Sequence, residues 1–329
     1  MASNRQAEPP VHGFLNLYKP AGITSMAALL RVKRATGQRR KVGHAGTIDP
    51  LAEGVLPICF GQATRLMEDV VSGRKRYRMT MRLGATSTTY DAEGDITESA
   101  YSVELTRREI ETALVNFVGR IEQVPPMYSA IKVDGRRLYE LARAGKEVER
   151  APRPVQVYEI HIDEISLPYL RLTVDCGKGT YLRSIAHDLG QALGCGGYVT
   201  ELCRLSCGRF KAEHGVTLEG LEDSAAEGDW RVHLQPVDWA LRDYPALRVT
   251  SDQATAIKHG QAILPVGDAA AGPEAPGMRR AYDPDGVFLA LLQFQGETDR
   301  WQPRRVFQGS DVSPYAPSPS NARPRPAGV

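Results

Sequence analysis

Between Arg76 and Gly84 the chain reads RYRMTMRLG, with Tyr77, Met79, Met81 and Leu83 alternating against Arg78, Thr80 and Arg82. Side chains change face at every residue of a strand, so this spacing predicts a strand with one buried side and one polar side. A half-buried strand needs paired neighbours and a layer of helices over its apolar face, and the flanking sequence supplies candidates. Thr106 followed by Glu109 is a capping box for TRREIETALVNFVG, whose Ile110, Leu114 and Phe117 share a face before Gly119 stops it. Ser25 is predicted to cap a helix running through Thr36 and ending at Gly37, with Ala28, Leu29 and Val32 on one face and Arg31, Lys33 and Arg34 on the other. YLRLTVDCGKGTYLRSIAHDLGQALG reads as a strand to Cys176, a glycine turn, and a helix from about Tyr181 that closes at Gly194. Lys178, Tyr181 and Arg183 are thereby placed at the end of a strand.

A chain of 329 residues exceeds the usual single domain, so one large domain with a smaller companion is expected. Past Asp238 the sequence turns into short β-like pieces (ALRVT, RRAYDPDGVFLALLQFQG, RWQPRRVF) interrupted by the loop LPVGDAAAGPEAPG. This predicts a large domain over 11–245 and a small β-rich domain over 246–308. Residues 1–10 and 309–329 are rich in Pro, Ser and Ala and read as disordered tails. Lys plus Arg number 41 against 39 Asp plus Glu, so an anionic partner must be met by a local basic patch, not by a global field. The five cysteines have no CxxC pairing, and Cys195, Cys203, Cys207 and His214 are spaced too irregularly for structural zinc; no metal is expected. The N-terminal residues MASNRQAEPP lack an apolar signal core and no run approaches the roughly 20 residues of a membrane span, so a cytoplasmic, thiol-reduced protein is expected.

Two segments carry chemistry. Residues 123–153, QVPPMYSAIKVDGRRLYELARAGKEVERAPR, interleave Lys132, Arg136, Arg137, Arg143, Lys146, Arg150 and Arg153 with Tyr128 and Tyr139. That pattern suits phosphate contact with base stacking, and equally suits a solvated amphipathic helix. Residues 43–65, GHAGTIDPLAEGVLPICFGQATR, set one carboxylate, Asp49, before Pro50 among glycines that permit close approach of backbone or ligand. On local grounds Asp49 is either the cap of the turn at Pro50 or a nucleophile or base held ionised by an arginine.

GHAGTIDPLAEGVLPICFGQATR closely resembles the signature of the TruB family of tRNA pseudouridine synthases. NLYKPAGITS, KRYRMTMRLGATSTTYDAEGDI, QVPPMYSAIKVDGRRLYELARAG and CGKGTYLRSIAHDLGQALGCGGYVTELCR resemble further blocks of that family, in order, over about residues 13–240. The resemblance implies a mixed α+β fold on a central, mainly antiparallel sheet crossed by the active cleft. It also implies cofactor-free isomerisation of uridine to pseudouridine at position 55 in the T-loop of tRNA. Asp49 matches the family's essential aspartate, Tyr77 the active-site tyrosine, and Arg183 the arginine that pairs with the aspartate and is expected to lower its pKa. His44, preceded by Gly43, matches the histidine that enters the RNA loop; Leu202 matches a wall of the uracil pocket; Lys19 falls with Pro20 in the first block, which is expected to be structural, and Gly43, Lys19 and Tyr181 are also expected among the residues that contact the RNA substrate. The basic insertion resembles a thumb-like loop closing over the RNA, which assigns Lys132, Arg136, Arg137 and Arg143 to phosphate contacts.

Glu53 and Cys203 stand where a small residue and an arginine are common in the family, and Glu53 is expected to point to solvent. The C-terminal piece resembles a PUA domain. A monomer acting on the T stem-loop without an obligatory protein partner is expected. The alternatives are a tRNA-folding chaperone that works without catalysis and a guide-RNA-dependent relative; the lack of long Lys-rich terminal extensions argues against the latter.

Overall fold

The computed structural model describes residues 11–318 apart from 100–102, 130, 134, 147, 266–276 and 310. The expected N-terminal tail and most of the Gly/Ala/Pro loop lie outside these residues. The chain divides into two compact units, Met1–Leu234 and Gln235–Val329. No described helix is long and apolar enough to cross a membrane.

The first unit is organised by the alternating strand. In chain order its principal strands are β1 (Gly13–Lys19), β2 (Val42–His44), β3 (Glu53–Phe60), β4 (Lys75–Leu83), the short pair β5 (Ala85–Ser87) and β6 (Ile96–Glu98), β7 (Gly119–Gln123), the short pair β8 (Lys132–Val133) and β9 (Arg136–Arg137), β10 (Arg153–Ser166), β11 (Tyr169–Cys176) and β12 (Gly197–Cys207). The central sheet runs Val216–Thr217, β1, β3, β12, β4, β11, β10, β7, with β2 added along β3. The pairs are antiparallel except β1 with Val216–Thr217 and β3 with β12. As the alternation requires, β4 buries Tyr77, Met79, Met81 and Leu83. Its register sets Tyr77 between Val174 on β11 and Arg204 on β12.

The helices of this unit are α1 (Ser25–Ala35), α2 (Met67–Ser72), α3 (Arg107–Leu114), α4 (Leu138–Arg143), α5 (Leu182–Ala192) and α6 (Leu218–Glu227), and α3 and α5 cover the buried face of β4. Ile110 and Leu114 of α3 and Leu182, Ile185 and Leu189 of α5 pack on Met79, Met81 and Leu172. The Thr106–Glu109 capping box forms as the sequence predicts. The α1 cap differs: Thr24, not Ser25, accepts from the Ala27 amide, so Ser25 is the first helical residue and its hydroxyl is turned inward. A second cluster joins Leu15, Leu56 and Phe60 of β1 and β3 to α1, α6 and the buried Trp230. Arg31, expected on the outer face of α1, forks onto Glu222 of α6 at 2.8 and 2.7 Å.

Gly54, at the start of β3, has φ +99° and lies against β12, where an added Cβ would run into the backbone carbonyl and nitrogen of Arg204. Left-handed strain and this clash add, so Gly54→Ala is expected to cost about 3 kcal/mol or more. Thermal denaturation should show a Tm lower by roughly 6 °C or more; an unchanged Tm would mean that β3 and β12 are not held at this spacing.

In the second unit, Ala246–Arg248, Met278–Tyr282, Phe288–Gln295 and Arg300–Val306 form a four-stranded sheet against the helix Ser251–Lys258, closed over Leu247, Ile257, Leu292 and Trp301. Its boundary precedes the compositional change near 246 because buried Asp238 belongs with it, accepting from Tyr282 Oη at 2.6 Å and Ser313 Oγ at 2.5 Å. Residues 311–318, which composition assigns to a disordered tail, are attached here by Ser313 and by Arg248 Nη2 donating to the Pro317 carbonyl at 2.6 Å.

Candidate active site

The signature segment forms a turn between β2 and β3, and the first sequence block fixes it. Ser25 Oγ donates to the Ile48 carbonyl at 2.9 Å and accepts from the Ile48 amide at 3.0 Å. Gly22 N donates to the Pro50 carbonyl at 2.8 Å. Lys19 is fully buried, and its ammonium donates to the carbonyls of Pro20, Ile23 and Pro50 at 2.8, 2.7 and 3.3 Å. Burial brings its pKa down to about 8. The expectation that Lys19 contacts RNA is corrected: an ammonium has three donors, and all are directed at the loops that carry Asp49.

Asp49 emerges from this clamped turn with its side chain 30% exposed and meets Arg183, which is 3% exposed. Arg183 Nε donates to Asp49 Oδ2 and Nη2 to Oδ1, both at 2.9 Å, the two parallel bonds of a guanidinium fork. Its remaining donors are also occupied. Nη2 reaches the Tyr128 carbonyl at 2.8 Å, Nη1 the Thr89 carbonyl at 3.1 Å, and Nη1 lies 3.3 Å from Asp91 Oδ2. Asp91 is itself fixed by Thr89 Oγ1, which donates to Oδ1 at 2.5 Å, and by the Glu93 amide at 3.0 Å. Two carboxylates therefore share one buried cation.

Burial pushes the Asp49 carboxyl above the usual carboxylate range; Arg183 opposes the push and Asp91 adds to it. The expectation that Arg183 leaves the pKa lowered is thus corrected, because desolvation outweighs the ion pair. If ionised Asp49 is the reacting form, activity rises with pH through that raised pKa, and the acid limb lies above the ordinary value near 4. In Asp91→Asn the limb should move to lower pH, since one raising charge is gone and Arg183 is left to Asp49 alone. A kcat–pH profile checks this; a limb that stays put or moves upward would contradict the shared-cation arrangement.

Tyr77 and Leu202 lie in one buried cluster with Ile48 and Ala52, which flank the Asp49–Pro50 turn. Burial raises the Tyr77 phenol to about 12 in spite of a hydrogen bond with Arg204, so at neutral pH it is protonated. Arg204 is almost fully buried and holds the site from beneath, Nε donating to the Val55 carbonyl at 2.7 Å and Nη2 to Gly46 at 2.8 Å. Leu202 also lines a cleft of about 820 Å³ with Leu51, Glu53, Arg78, Glu93 and Cys203. Glu53 therefore faces the cleft and not bulk solvent: the parallel β3–β12 register pairs it with Cys203 on that wall.

Gly43 and His44 lie on β2, paired with Cys59 and Ile58. His44 is partly exposed while its Nδ1 is covered, with no hydrogen-bond partner among the described residues, and burial lowers its pKa, keeping the ring neutral. Tyr181 caps α5, its amide donating to Gln123 Oε1 at 2.8 Å while Gln123 Nε2 returns to its carbonyl at 3.0 Å. The basic insertion starts from this point. Ser184 Oγ donates to the Val124 carbonyl at 2.8 Å, and Tyr128 offers its carbonyl to Arg183. The insertion continues through the β8–β9 pair, where Lys132 opposes Arg137, into α4. Arg136 is exposed there; Lys132, Arg137 and Arg143 are described by their backbone alone.

The structure thus brings Asp49 and Arg183 into contact and gathers Tyr77 and Leu202 around the turn. Asp91, Thr89, Gln123 and Arg204 join this candidate site through contacts that the sequence reading missed. Asp91 stands inside the quoted block GATSTTYDAEGDI, where its acidic character among polar neighbours gave no sign of a buried partner 92 residues away.

Residues 33–182 match the model of the TruB family pseudouridylate synthase N-terminal domain, 183–242 the tRNA pseudouridylate synthase B C-terminal domain, and 244–308 the tRNA pseudouridine synthase II C-terminal domain. The chain is 44% identical to tRNA pseudouridine synthase B of Burkholderia mallei over 88% of its own length and 92% of the relative's. It is 43% identical to the protein of the same name from Stutzerimonas stutzeri, over 94% and 99%. Among solved structures, a chain of a Cbf5–Nop10–Gar1 complex superposes with TM-score 0.70 at 27% identity, covering 93% of this chain and 87% of that one.

Proposed function

The chain belongs to the TruB family of pseudouridylate synthases, and on that premise we propose that it isomerises the uridine at position 55 in the T-loop of tRNA, with Asp49 as the reacting carboxylate. Its relatives over nearly their whole length are tRNA pseudouridine synthases, so the chain is a tRNA-modifying enzyme that converts uridine to pseudouridine. The finer assignment is carried by one observation, the bidentate Asp49–Arg183 pair held between a clamped turn and a buried helix beside the cleft.

In the isomerisation the N1–C1′ bond breaks, the uracil turns, and a C5–C1′ bond forms; C5 loses a proton and N1 gains one. No electrons are transferred and no group is donated, so a carboxylate and a pocket that retains the free uracil are sufficient. Asp49 is oriented for this by both oxygens of its fork, and a nucleophile or base so fixed loses little motion on reaching the transition state. Leu202 and Ile48 offer apolar walls, and Tyr77, a neutral phenol, offers a ring face for the base and a proton donor. Extruding a stacked base costs a few kcal/mol, least in a loop that already bulges its bases. His44, neutral and partly exposed, is suited to occupy the vacated stack. In this reading the β8–β9 and α4 insertion, attached at Val124 and Tyr128 to the helix that carries Arg183, supplies Arg136, with Lys132, Arg137 and Arg143, to the phosphates of the stem.

Tritium release from C5-labelled uridine in an unmodified tRNA transcript, with the protein alone as a monomer, tests this reading. Release from position 55 without other protein or cofactor is the expected result. A folded protein that binds the transcript and releases nothing would favour a chaperone role or a missing guide.

A further inference from the structure

Tyr90 and His187 take no part in the contacts described above, yet their rings stack with centroids 3.8 Å apart and planes inclined by 12°. Both side chains are half-buried. Tyr90 has φ +65°, a left-handed conformation that residues with a Cβ seldom adopt. It stands between Thr89, whose carbonyl accepts from Arg183 Nη1, and Asp91, whose carboxylate approaches the same nitrogen. His187 follows Arg183 by four residues on α5, so the two side chains leave the helix one above the other. The segment 87–91 is therefore tied to α5 twice, through the guanidinium and through the ring stack, and to β12 by Val199 N donating to the Tyr90 carbonyl at 3.0 Å.

We propose that the Tyr90–His187 stack positions the Thr89 carbonyl and the Asp91 carboxylate against Arg183, and through Arg183 sets the orientation of Asp49. The left-handed turn at Tyr90 is what points its ring at α5 while the residues on either side face the guanidinium. His187 Nδ1 is covered without a hydrogen-bond partner among the described residues, so stacking, not that nitrogen, fixes the imidazole plane. Burial and nearby Arg150 lower its pKa, which favours the neutral imidazole. Tyr90 and His187 are positioning residues; neither lines the cleft.

The inference rests on Asp49 being the reacting group. Single-turnover tritium release and tRNA binding are to be measured for wild type, His187→Ala, His187→Phe and Tyr90→Phe across the acid limb, with Tm recorded for each. His187→Ala is expected to slow turnover on the order of 10-fold with tRNA affinity unchanged, the scale of a displaced orienting group. Its acid limb should move to higher pH, because a loosened Arg183 opposes the burial of Asp49 less well. His187→Phe and Tyr90→Phe, which keep a planar ring, should restore rate and limb. A wild-type rate and limb in His187→Ala would overturn the proposal. So would a loss that tracks Tm and is not rescued by Phe. No release from the wild type would overturn the isomerase reading and this inference with it, whereas release from the wild type with unaltered variants would overturn this inference alone.

Discussion

Asp49→Asn is expected to lower turnover on the order of 10⁴-fold while tRNA affinity stays within about two-fold, the size of effect seen when one member of a concerted catalytic set is removed. Asn has the shape of Asp and can still accept from Arg183, so the turn fixed by Ser25, Gly22 and Lys19 should persist. What is lost is the negative charge. An amide is neither a nucleophile nor a base at neutral pH, and its Nδ2 meets one of the two guanidinium donors donor-to-donor, weakening the fork. Binding should survive because the basic insertion is a separate segment. Filter binding and tritium release on the same preparation check the split; joint loss of both with loss of helical circular dichroism would return Asp49 to the role of a turn cap.

What the sequence disclosed was local or periodic. The alternation in β4 predicts its buried face residue by residue, and the Thr106–Glu109 box marks its helix because both partners lie within one turn. The turn that precedes α5 was legible for the same reason. The shift from Ser25 to Thr24 at the α1 cap was not, since either hydroxyl satisfies a helix start, and only the distant Ile48 backbone decides which one turns inward. The same holds for Lys19, whose place in the first block does not reveal that its ammonium is buried and spent on three carbonyls. Asp91 and Arg204 act through groups far away in sequence, and no spacing rule reaches them. Residues 311–318 read as tail by composition because the buried Asp238 that receives Ser313 is 75 residues distant. The direction of the Asp49 pKa is hidden from the sequence for a related reason: an adjacent arginine can be inferred from a motif, but desolvation is a property of the assembled site.

Arg183→Lys separates charge from geometry. An ammonium keeps the positive charge near Asp49 but is a point donor with three bonds, where the guanidinium sustains five contacts: two to Asp49 and one each to Tyr128, Thr89 and Asp91. Lys at this position cannot span both Asp49 oxygens and also reach Asp91, which is 3% exposed and would be left without its ion pair. Turnover is expected to fall about 10²- to 10³-fold, comparable to removing a preorganised electrostatic contact. Stability should drop by about 2–4 kcal/mol, towards the lower end of the cost of breaking a buried pair because a cation remains. The acid limb gives the sharper reading. With the fork gone, burial of Asp49 is less well opposed, its pKa rises further, and the limb moves to higher pH, opposite to the shift expected for Asp91→Asn. Opposed shifts in the two variants would establish that one guanidinium apportions its charge between the two carboxylates. Parallel shifts would mean that Asp91 serves Arg183 only as a structural anchor, with Asp49 tuned by burial alone.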